Sequence, residues 1–184
     1  MTKFQNKYRI ESARAQWWDY SNAGAYFITI CTQDRKHYFG KIMNDQMEYT
    51  EIGKIVESEW IKTPSIRPDM NLELDAFVVM PNHFHGIIFI GDNDYNTVET
   101  RCIASLQLQQ NQQRLQPQRK TLGSIVRGFK SSVTMYARKN NIEFEWQTRY
   151  HDRIVRNEEE CNRIRKYIQE NPFNWHKDDF FEDL

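Results

Sequence analysis

The sequence is poor in cysteine and has no long apolar run. Its three cysteines, Cys31, Cys102 and Cys161, lie far apart and form no Cys-x-x-Cys pair. A disulfide framework or a cysteine zinc site is therefore not expected, and this cysteine usage fits a reducing cytosol. No apolar run approaches the length of a membrane span, and nothing near Met1 resembles a signal peptide. We therefore expect a cytoplasmic protein without a membrane partner.

The sequence also lacks an excess of charge of either sign, because 25 Lys and Arg balance 25 Asp and Glu. This balance argues against a protein that coats DNA indiscriminately, which would be strongly basic. Basic residues are nevertheless concentrated between positions 114 and 156, where the only acidic residues are Glu143, Glu145 and Asp152. A local excess of this kind suits a groove for a phosphate backbone, and interleaved aromatic residues such as Trp146 suit the bases of a single strand. A basic stripe on a helix is otherwise an ordinary solvated face.

The 184 residues, 39% of them hydrophobic, fit one domain with a packed core. Hydrophobic periodicity and helix caps predict the order strand, helix, hairpin, helix, strand, helix. The predicted elements are a central strand at 26–32, a short strand from His37, a helix after Thr50, a hairpin at 72–90, a helix after Thr121, a strand at 153–156 and a helix after Asn157. We expect the Gln-rich stretch at about 97–120 to be a flexible insertion and residues 177–184 to be an acidic tail.

The stretch from Phe77 to Ile90 is typical of two strands joined by a tight turn at Pro81-Asn82. Side chains alternate faces along a strand, so His83 and His85 point the same way. Two imidazoles held this close on a rigid element are suited to bind one metal ion. Two histidines on a half-buried strand can equally be polar residues with ordinary hydrogen-bond partners, so the pair alone does not decide between these interpretations.

A second group of polar residues lies on the last helix. Tyr167 and Asn171 are four residues apart, which places them one turn apart on one face. Asn171 precedes Pro172, and because proline disfavours helical geometry before it, the Asn171 carboxamide lies at the very end of the helix and is free to turn toward a ligand. The alternative is that Tyr167 packs in the core and that Asn171 caps the helix.

These residues belong to a set of motifs that resembles the single-tyrosine HUH transposases, and among them the REP-associated tyrosine transposases and their insertion-sequence relatives. HUH denotes His, hydrophobic, His, which is His83-Phe84-His85 here. The resemblance covers roughly residues 26–175. It rests on the motifs Val79–Gly86, Gly123–Ser131, Trp146-Gln147, Arg156–Glu159 and Tyr167–Pro172. The Gln-rich stretch and the short tail, which lacks a large additional domain, depart from the family pattern.

The resemblance implies a fold and a chemistry. The fold would be α+β, an antiparallel sheet with packed helices in a ferredoxin-like palm. His83, His85 and Asn171 would be metal ligands, and Tyr167 would be the nucleophile. The metal would be Mg²⁺ or Mn²⁺, of which imidazole ligands favour Mn²⁺. The implied reaction is cleavage and rejoining of single-stranded DNA beside an imperfect hairpin in a bacterial cell, through a 5′-phosphotyrosine intermediate that leaves a free 3′-hydroxyl.

The candidate DNA contacts lie on the basic helix and in the segment that follows it. They are Arg127, Lys130, Arg138, Trp146, Arg149, Arg153 and Arg156. The sequence leaves open the DNA sequence that is recognised and the choice between a monomer and a homodimer, since dimeric relatives can share the tyrosine helix between subunits.

Two other functions stay open at this point. One is a domesticated relative that binds hairpin DNA without cutting it. The other is an unrelated metal hydrolase that activates water at the His pair, which would form no covalent adduct with DNA and would be indifferent to Tyr167→Phe.

Overall fold

A computed structural model describes residues 18–94, 96 and 120–181, together with two short strands near the N-terminus. The strands are β1 (Lys3–Phe4), β2 (Lys7–Tyr8), β3 (Gly24–Cys31), β4 (Gly40–Met43), β5 (Gln46–Tyr49), β6 (Leu72–Val79), β7 (His83–Ile90) and β8 (His151–Val155). The helices are α1 (Glu51–Ile61), α2 (Thr63–Ile66), α3 (Leu122–Lys139) and α4 (Glu158–Glu170), with 3-10 turns at Gln33–Arg35, Pro68–Met70 and Trp175–Lys177. Within the described ranges, no helix combines the length and the apolar character that crossing a membrane requires.

Four of the strands form an antiparallel sheet in the order β6-β7-β3-β8. Strands β6 and β7 are the arms of the predicted hairpin, and the Met80 amide donates to the His83 carbonyl at 2.8 Å across its turn. The predicted central strand, β3, lies between β7 and β8. Its register places Thr29 opposite His85 and Cys31 opposite His83. The predicted α+β class, an antiparallel sheet with packed helices, is confirmed.

Alternate residues of β7 face two different cores. Phe84 and Ile88 face α1 and α3, where the ring of Phe84 lies 4.9 Å from Trp60 and 5.4 Å from Phe129. Ile87 packs on the opposite face, against α4. Burying each apolar side chain of this size stabilises the fold by about 1.5–3 kcal/mol, which fixes the register of β7. His83 and His85 share the face of Ile87 and therefore point toward α4.

Gly86 marks a close approach of aromatic side chains to strand β7. A Cβ atom at Gly86 would lie 2.9 Å from the Phe84 ring and 3.1 Å from the Trp60 ring. The glycine thus lets two aromatic side chains pack directly on the strand, on the face opposite the two histidines.

The predicted N-caps begin the three longer helices. The Gly53 amide donates to Thr50 Oγ1 at 3.1 Å, and the Glu160 amide donates to Asn157 Oδ1 at 2.8 Å. Thr121 Oγ1 accepts in the same way at the start of α3. These bonds satisfy amide groups that have no partner inside the helix, so short sequence signals define where the helices begin.

Two of the sequence-based predictions fall on the edges of the described structure. The Gln-rich stretch at 97–120 lies outside the described residues except for Lys120, so its role and the organisation of 1–184 as one domain stay predictions. Of the acidic tail at 177–184, residues 177–181 are described. We call residues 177–181 the C-terminal segment.

Candidate active site

The two histidines of the HUH motif form a buried pair at the start of β7. His83 is 0% and His85 is 1% exposed, and their ring centroids are 4.5 Å apart. Strand alternation places both rings on one face, so the geometry follows directly from the spacing in the sequence. The rings are closed to solvent and lie between the sheet, α4 and the C-terminal segment.

Each imidazole is held through its Nδ1 atom. His83 Nδ1 lies 2.9 Å from Asn82 Oδ1, and His85 Nδ1 lies 2.8 Å from Thr29 Oγ1 on the neighbouring strand. Because Asn82 Oδ1 can only accept a hydrogen bond, His83 Nδ1 carries the proton and His83 Nε2 presents a lone pair. Hydrogen bonds of this kind orient metal-binding histidines. Sequence reasoning missed both partners: Asn82 fits an ordinary turn residue, and Thr29 has no distinguishing signal.

Helix α4 brings Tyr167 and Asn171 to the histidine pair. The Tyr167 hydroxyl lies 3.1 Å from His85 Nε2, and the Tyr167 ring packs edge-on against Phe27. Asn171 is 2% exposed and sits at the end of the helix, as predicted, although it keeps helical dihedral angles (φ −58°, ψ −44°) before Pro172. The two residues predicted to share one helix face therefore both reach the site.

The C-terminal segment contributes residues that sequence reasoning did not assign to the site. The Phe180 ring lies 4.7 Å from the His83 ring, and the Phe180 carbonyl accepts from Asn82 Nδ2 at 2.8 Å. Asp178 Oδ2 accepts from Asn171 Nδ2 at 2.9 Å. The sequence signal that could have indicated Asp178 was the acidic character of the tail, but that character does not distinguish one carboxylate from its neighbours.

The pKa values of the site follow from burial and from nearby charges. Burial, and next the Arg35 cation, lower the pKa of His83 to about 3. Burial and the neighbouring His83 lower the pKa of His85 well below its ordinary value, against an opposing effect of Asp178. Both rings are therefore neutral at pH 7, which is the form that binds metals. Burial, and next the Asp178 carboxylate, raise the pKa of Tyr167 to about 12.

We expect the metal-free protein to lose stability as the pH falls below the ordinary pKa of histidine. In the unfolded chain His83 titrates near 6.5, whereas the folded protein keeps it neutral down to about pH 3. Between these values the unfolded state binds more protons, so the free energy of unfolding falls with pH, by up to about 1.4 kcal/mol per pH unit for one such group. Urea unfolding with a chelator present should show a loss of about 2 kcal/mol for His83 between about pH 7.5 and about pH 5.

His83→Gln should remove the share of this pH dependence that comes from His83, and the share that comes from the buried His85 should remain. His151→Gln, at an exposed position of β8, is the matched control and should leave the slope as in the wild type. A free energy of unfolding that stays constant across this pH range would contradict a buried neutral His83.

The donor atoms around the His pair fit a divalent metal ion. His83 Nε2 and Asn171 Oδ1 are buried, and neither has a hydrogen-bond partner among the residues that the structure describes. The ligand atoms of His83, His85 and Asp178 lie within 4.8 Å of one another. Imidazole nitrogens combined with amide and carboxylate oxygens suit Mn²⁺ and are compatible with Mg²⁺. The group His83, His85 and Asp178 can thus bind a metal, and Asn171 as a further ligand stays a prediction.

The predicted DNA contacts divide into two groups. A groove of about 890 Å³ runs between α3 and the segment before β8, and four of the predicted contacts line it. These four are Arg127, Lys130, Arg138 and Trp146. Trp146 is fixed there because its Nε1 donates to the Lys130 carbonyl at 3.1 Å. Lys130 Nζ donates to the Gln147 carbonyl at 2.6 Å, so this cation also fixes the segment before β8 against α3.

The other three predicted contacts do not line this groove. Arg153 forms an ion pair with Glu160 at 2.5 Å, at the start of α4. Arg149 and Arg156 are exposed. Part of the basic stretch thus contacts the start of α4, and DNA binding by these three residues stays a prediction.

Comparison with known proteins gives first the class of fold and then the family. The solved structure of a REP-associated tyrosine transposase bound to a REP hairpin matches with a TM-score of 0.57 and 18% identity, over 90% of this chain and 74% of that one. The predicted resemblance to these transposases is thereby confirmed for the fold. A protein of Haemophilus influenzae, described as uncharacterised, is 40% identical over 173 residues, which cover 94% of this chain and 93% of that protein. The chain belongs to the same family as that protein. No protein-family model matches the chain.

Proposed function

We propose that the chain is a metal-dependent endonuclease and strand transferase that acts on single-stranded DNA at hairpin-flanked sites. The observation that carries this proposal is the position of the Tyr167 hydroxyl, 3.1 Å from the Nε2 atom of the buried His85. A nucleophile and a pair of metal ligands thus meet at one point. The fold shared with a transposase whose structure was solved with a REP hairpin supports the same reaction class.

His83, His85 and Asn171 would hold the Mg²⁺ or Mn²⁺ ion. When bound, the ion would draw negative charge from a phosphate oxygen in the transition state and favour the phenolate of Tyr167. The chain's own groups prepare this site. Asn82 and Thr29 orient the imidazoles through Nδ1, so that both Nε2 atoms can be turned toward one ion.

Tyr167 would carry the covalent step. Its phenolic oxygen forms a bond to the phosphorus while the bond from phosphorus to the 3′ oxygen breaks. The Tyr167 hydroxyl gives up its proton to solvent as it attacks. The electron pair of the broken bond stays on the 3′ oxygen, which takes up one proton from solvent and leaves as a 3′-hydroxyl. The 5′ end stays on the protein as a phosphotyrosine, and attack by a second 3′-hydroxyl reverses the step and joins two strands.

The groove of α3 would hold DNA close to this site. Trp146 lies in the groove with Arg127 and Arg138, which combines an aromatic wall for bases with cations for phosphates. The groove and the His pair lie at the same end of the sheet, since the Gln147 amide donates to the carbonyl of Cys31, the residue opposite His83. The groove lies on the α3 side of the sheet and the His pair on the α4 side, so one strand of DNA would pass around this end of the sheet to contact both.

The proposed reaction predicts a covalent protein–DNA adduct. Labelled single-stranded DNA with the imperfect hairpins that flank the gene would be incubated with the protein and Mn²⁺, then separated on a denaturing gel. The proposal predicts a shifted band that disappears with chelator, and peptide mass spectrometry should locate the adduct on Tyr167. Tight hairpin binding without an adduct would favour the non-cleaving binder. Cleavage without an adduct would favour the water-activating hydrolase.

Removing cations from the groove should weaken DNA binding and its dependence on salt. The slope of log K against log salt is negative, and each lost phosphate contact to a single strand reduces its magnitude by about 0.7. Arg127→Ala with Arg138→Ala should therefore reduce the magnitude by about 1.4. Fluorescence anisotropy with labelled DNA over a series of salt concentrations measures this slope. Lys54→Ala with Lys62→Ala, a matched loss of charge near α1, should leave it unchanged. Equal slopes in both double variants would exclude the groove as the DNA site.

A further inference from the structure

The C-terminal segment is fixed over the His pair by contacts from two turns of the fold, at Asn82 and at Arg35. Asn82 Nδ2 donates to the Phe180 carbonyl at 2.8 Å, and Arg35 Nη1 donates to the Asp179 carbonyl at 2.8 Å. The Arg35 guanidinium also lies 5.2 Å from the centre of the Phe180 ring. These contacts define one position for the segment. Attraction between its acidic charge and a basic surface would not do so.

The same contacts aim one carboxylate into the site. Asp178 Oδ1 accepts from the Phe180 amide at 2.8 Å, and Asp178 Oδ2 accepts from Asn171 Nδ2 at 2.9 Å. A carboxylate has about four acceptor positions, so lone pairs remain on both oxygens after these bonds. The carboxylate is thus held beside His83 and His85 with the capacity for a further partner.

Two buried acceptor atoms near the Asp178 carboxylate lack hydrogen-bond partners, and they indicate what the further partner is. His83 Nε2 is fully buried and has no hydrogen-bond partner within the described part of the chain, and the same holds for Asn171 Oδ1. An unpartnered buried acceptor costs about 1–3 kcal/mol, and here two of them lie beside a carboxylate. Buried lone pairs that converge with a negative charge are what a cation satisfies.

We propose that Asp178 is itself a ligand of the metal, so that metal binding and docking of the C-terminal segment stabilise each other. This inference rests on the metal site of the proposed function and adds a ligand from a different part of the chain. Because the coupling is reciprocal, the metal holds the segment over the site, and the docked segment raises the affinity for the metal by the same factor. The competing explanation is that Asp178 only shapes the turn at 178–180 and bonds to Asn171, which requires no metal.

Manganese binding to the full chain, without DNA, separates these explanations. The chelator-treated protein would be titrated with Mn²⁺, and the free ion would be followed by its electron paramagnetic resonance signal. Asp178→Asn keeps the size of the side chain and removes one charge, and it should weaken Mn²⁺ binding by about tenfold or more. Asp179→Asn removes the same charge one residue away and leaves the backbone contact to Arg35 in place, so its affinity should stay within about twofold of the wild type.

Hydrogen exchange provides a readout that a purely structural role would not change. The Phe180 and Phe181 amides both donate to Asp178, so their exchange reports docking of the segment. Mn²⁺ should slow exchange at these amides in the wild type and in Asp179→Asn, and should have no such effect in Asp178→Asn. The comparison is made within each variant, with and without Mn²⁺, so any loosening caused by the substitution itself cancels.

The outcomes distinguish this inference from the proposed metal site. If the wild type binds Mn²⁺ and His83→Gln does not, the histidine site stands. Equal Mn²⁺ affinity in Asp178→Asn and Asp179→Asn would then overturn the role of Asp178 alone. If the wild type binds no Mn²⁺, both the metal site and the coupling are wrong.

Discussion

Tyr167→Phe should abolish covalent capture of DNA, with a loss on the order of 10⁴-fold or more, below the detection limit of a denaturing gel. The substitution removes one oxygen atom, and the phenyl ring keeps its contacts with Phe27 and with the His85 ring, whose centroids lie 6.3 Å and 5.2 Å away. The fold and the metal ligands should therefore be preserved, and Mn²⁺ affinity should stay close to that of the wild type. The lost function is then attributable to the nucleophile alone.

The matched control is Tyr136→Phe, which removes the same atom from a tyrosine on α3. The Tyr136 hydroxyl donates to the Glu51 carboxylate at 2.6 Å, at the contact between α3 and α1. Adduct formation by this variant should equal that of the wild type. An adduct that persists in Tyr167→Phe would show that another residue is the nucleophile, and cleavage without an adduct in that variant would support hydrolysis by water.

The face of each residue on β7 could be predicted from the sequence because strand geometry is local. Alternation put His83 and His85 on one side and Phe84 on the other, and the two cores on either side of the sheet confirm that assignment. The same holds for Tyr167 and Asn171, whose spacing fixes them on one helix face. Local periodicity thus predicted which residues point together, and the resemblance predicted that these two pairs meet.

Contacts between distant parts of the chain could not be predicted in this way. Asp178 reaches His83 because Arg35 and Asn82 hold the backbone of the C-terminal segment. The sequence around these residues has no local pattern that predicts the contact. Thr29 supports His85 only through the register of β3 against β7, which the sequence does not define. A polar residue in a strand has the same local appearance whether it faces solvent or a histidine.

The basic residues show a second limit, because composition does not tell which of them share one groove. Arg153 belongs to the same basic stretch as Arg127 and Arg138, but it pairs with Glu160 at 2.5 Å and leaves the groove to the others. A local excess of charge predicts a nucleic-acid surface, and ion pairs with distant carboxylates influence which cations line one groove. Only the folded chain provides that information.

Ending the chain at Lys177 should speed covalent capture of DNA when Mn²⁺ is saturating. In the described state His83 and His85 are 0% and 1% exposed, so a DNA phosphate reaches them only after the C-terminal segment has moved. Three hydrogen bonds from Asn82, Arg35 and Asn171 and the ring contacts of Phe180, set against the cost of ordering the segment, leave a net docking free energy of about 2 kcal/mol. The accessible fraction, and with it the rate of adduct formation at low DNA concentration, should therefore rise by about 30-fold.

The effect of this truncation on metal binding should have the opposite sign, because the truncation also removes Asp178. Its Mn²⁺ affinity should fall while its rate at saturating Mn²⁺ rises. Phe180→Ala separates the two effects, because it keeps the Asp178 carboxylate and removes the ring that lies 4.7 Å from His83. This variant should raise the rate of adduct formation. It should weaken Mn²⁺ binding far less than the truncation does. Rates of adduct formation measured over a series of Mn²⁺ concentrations distinguish these variants. A truncated chain that captures DNA more slowly even at saturating Mn²⁺ would show that the segment belongs to the working site and does not cover it.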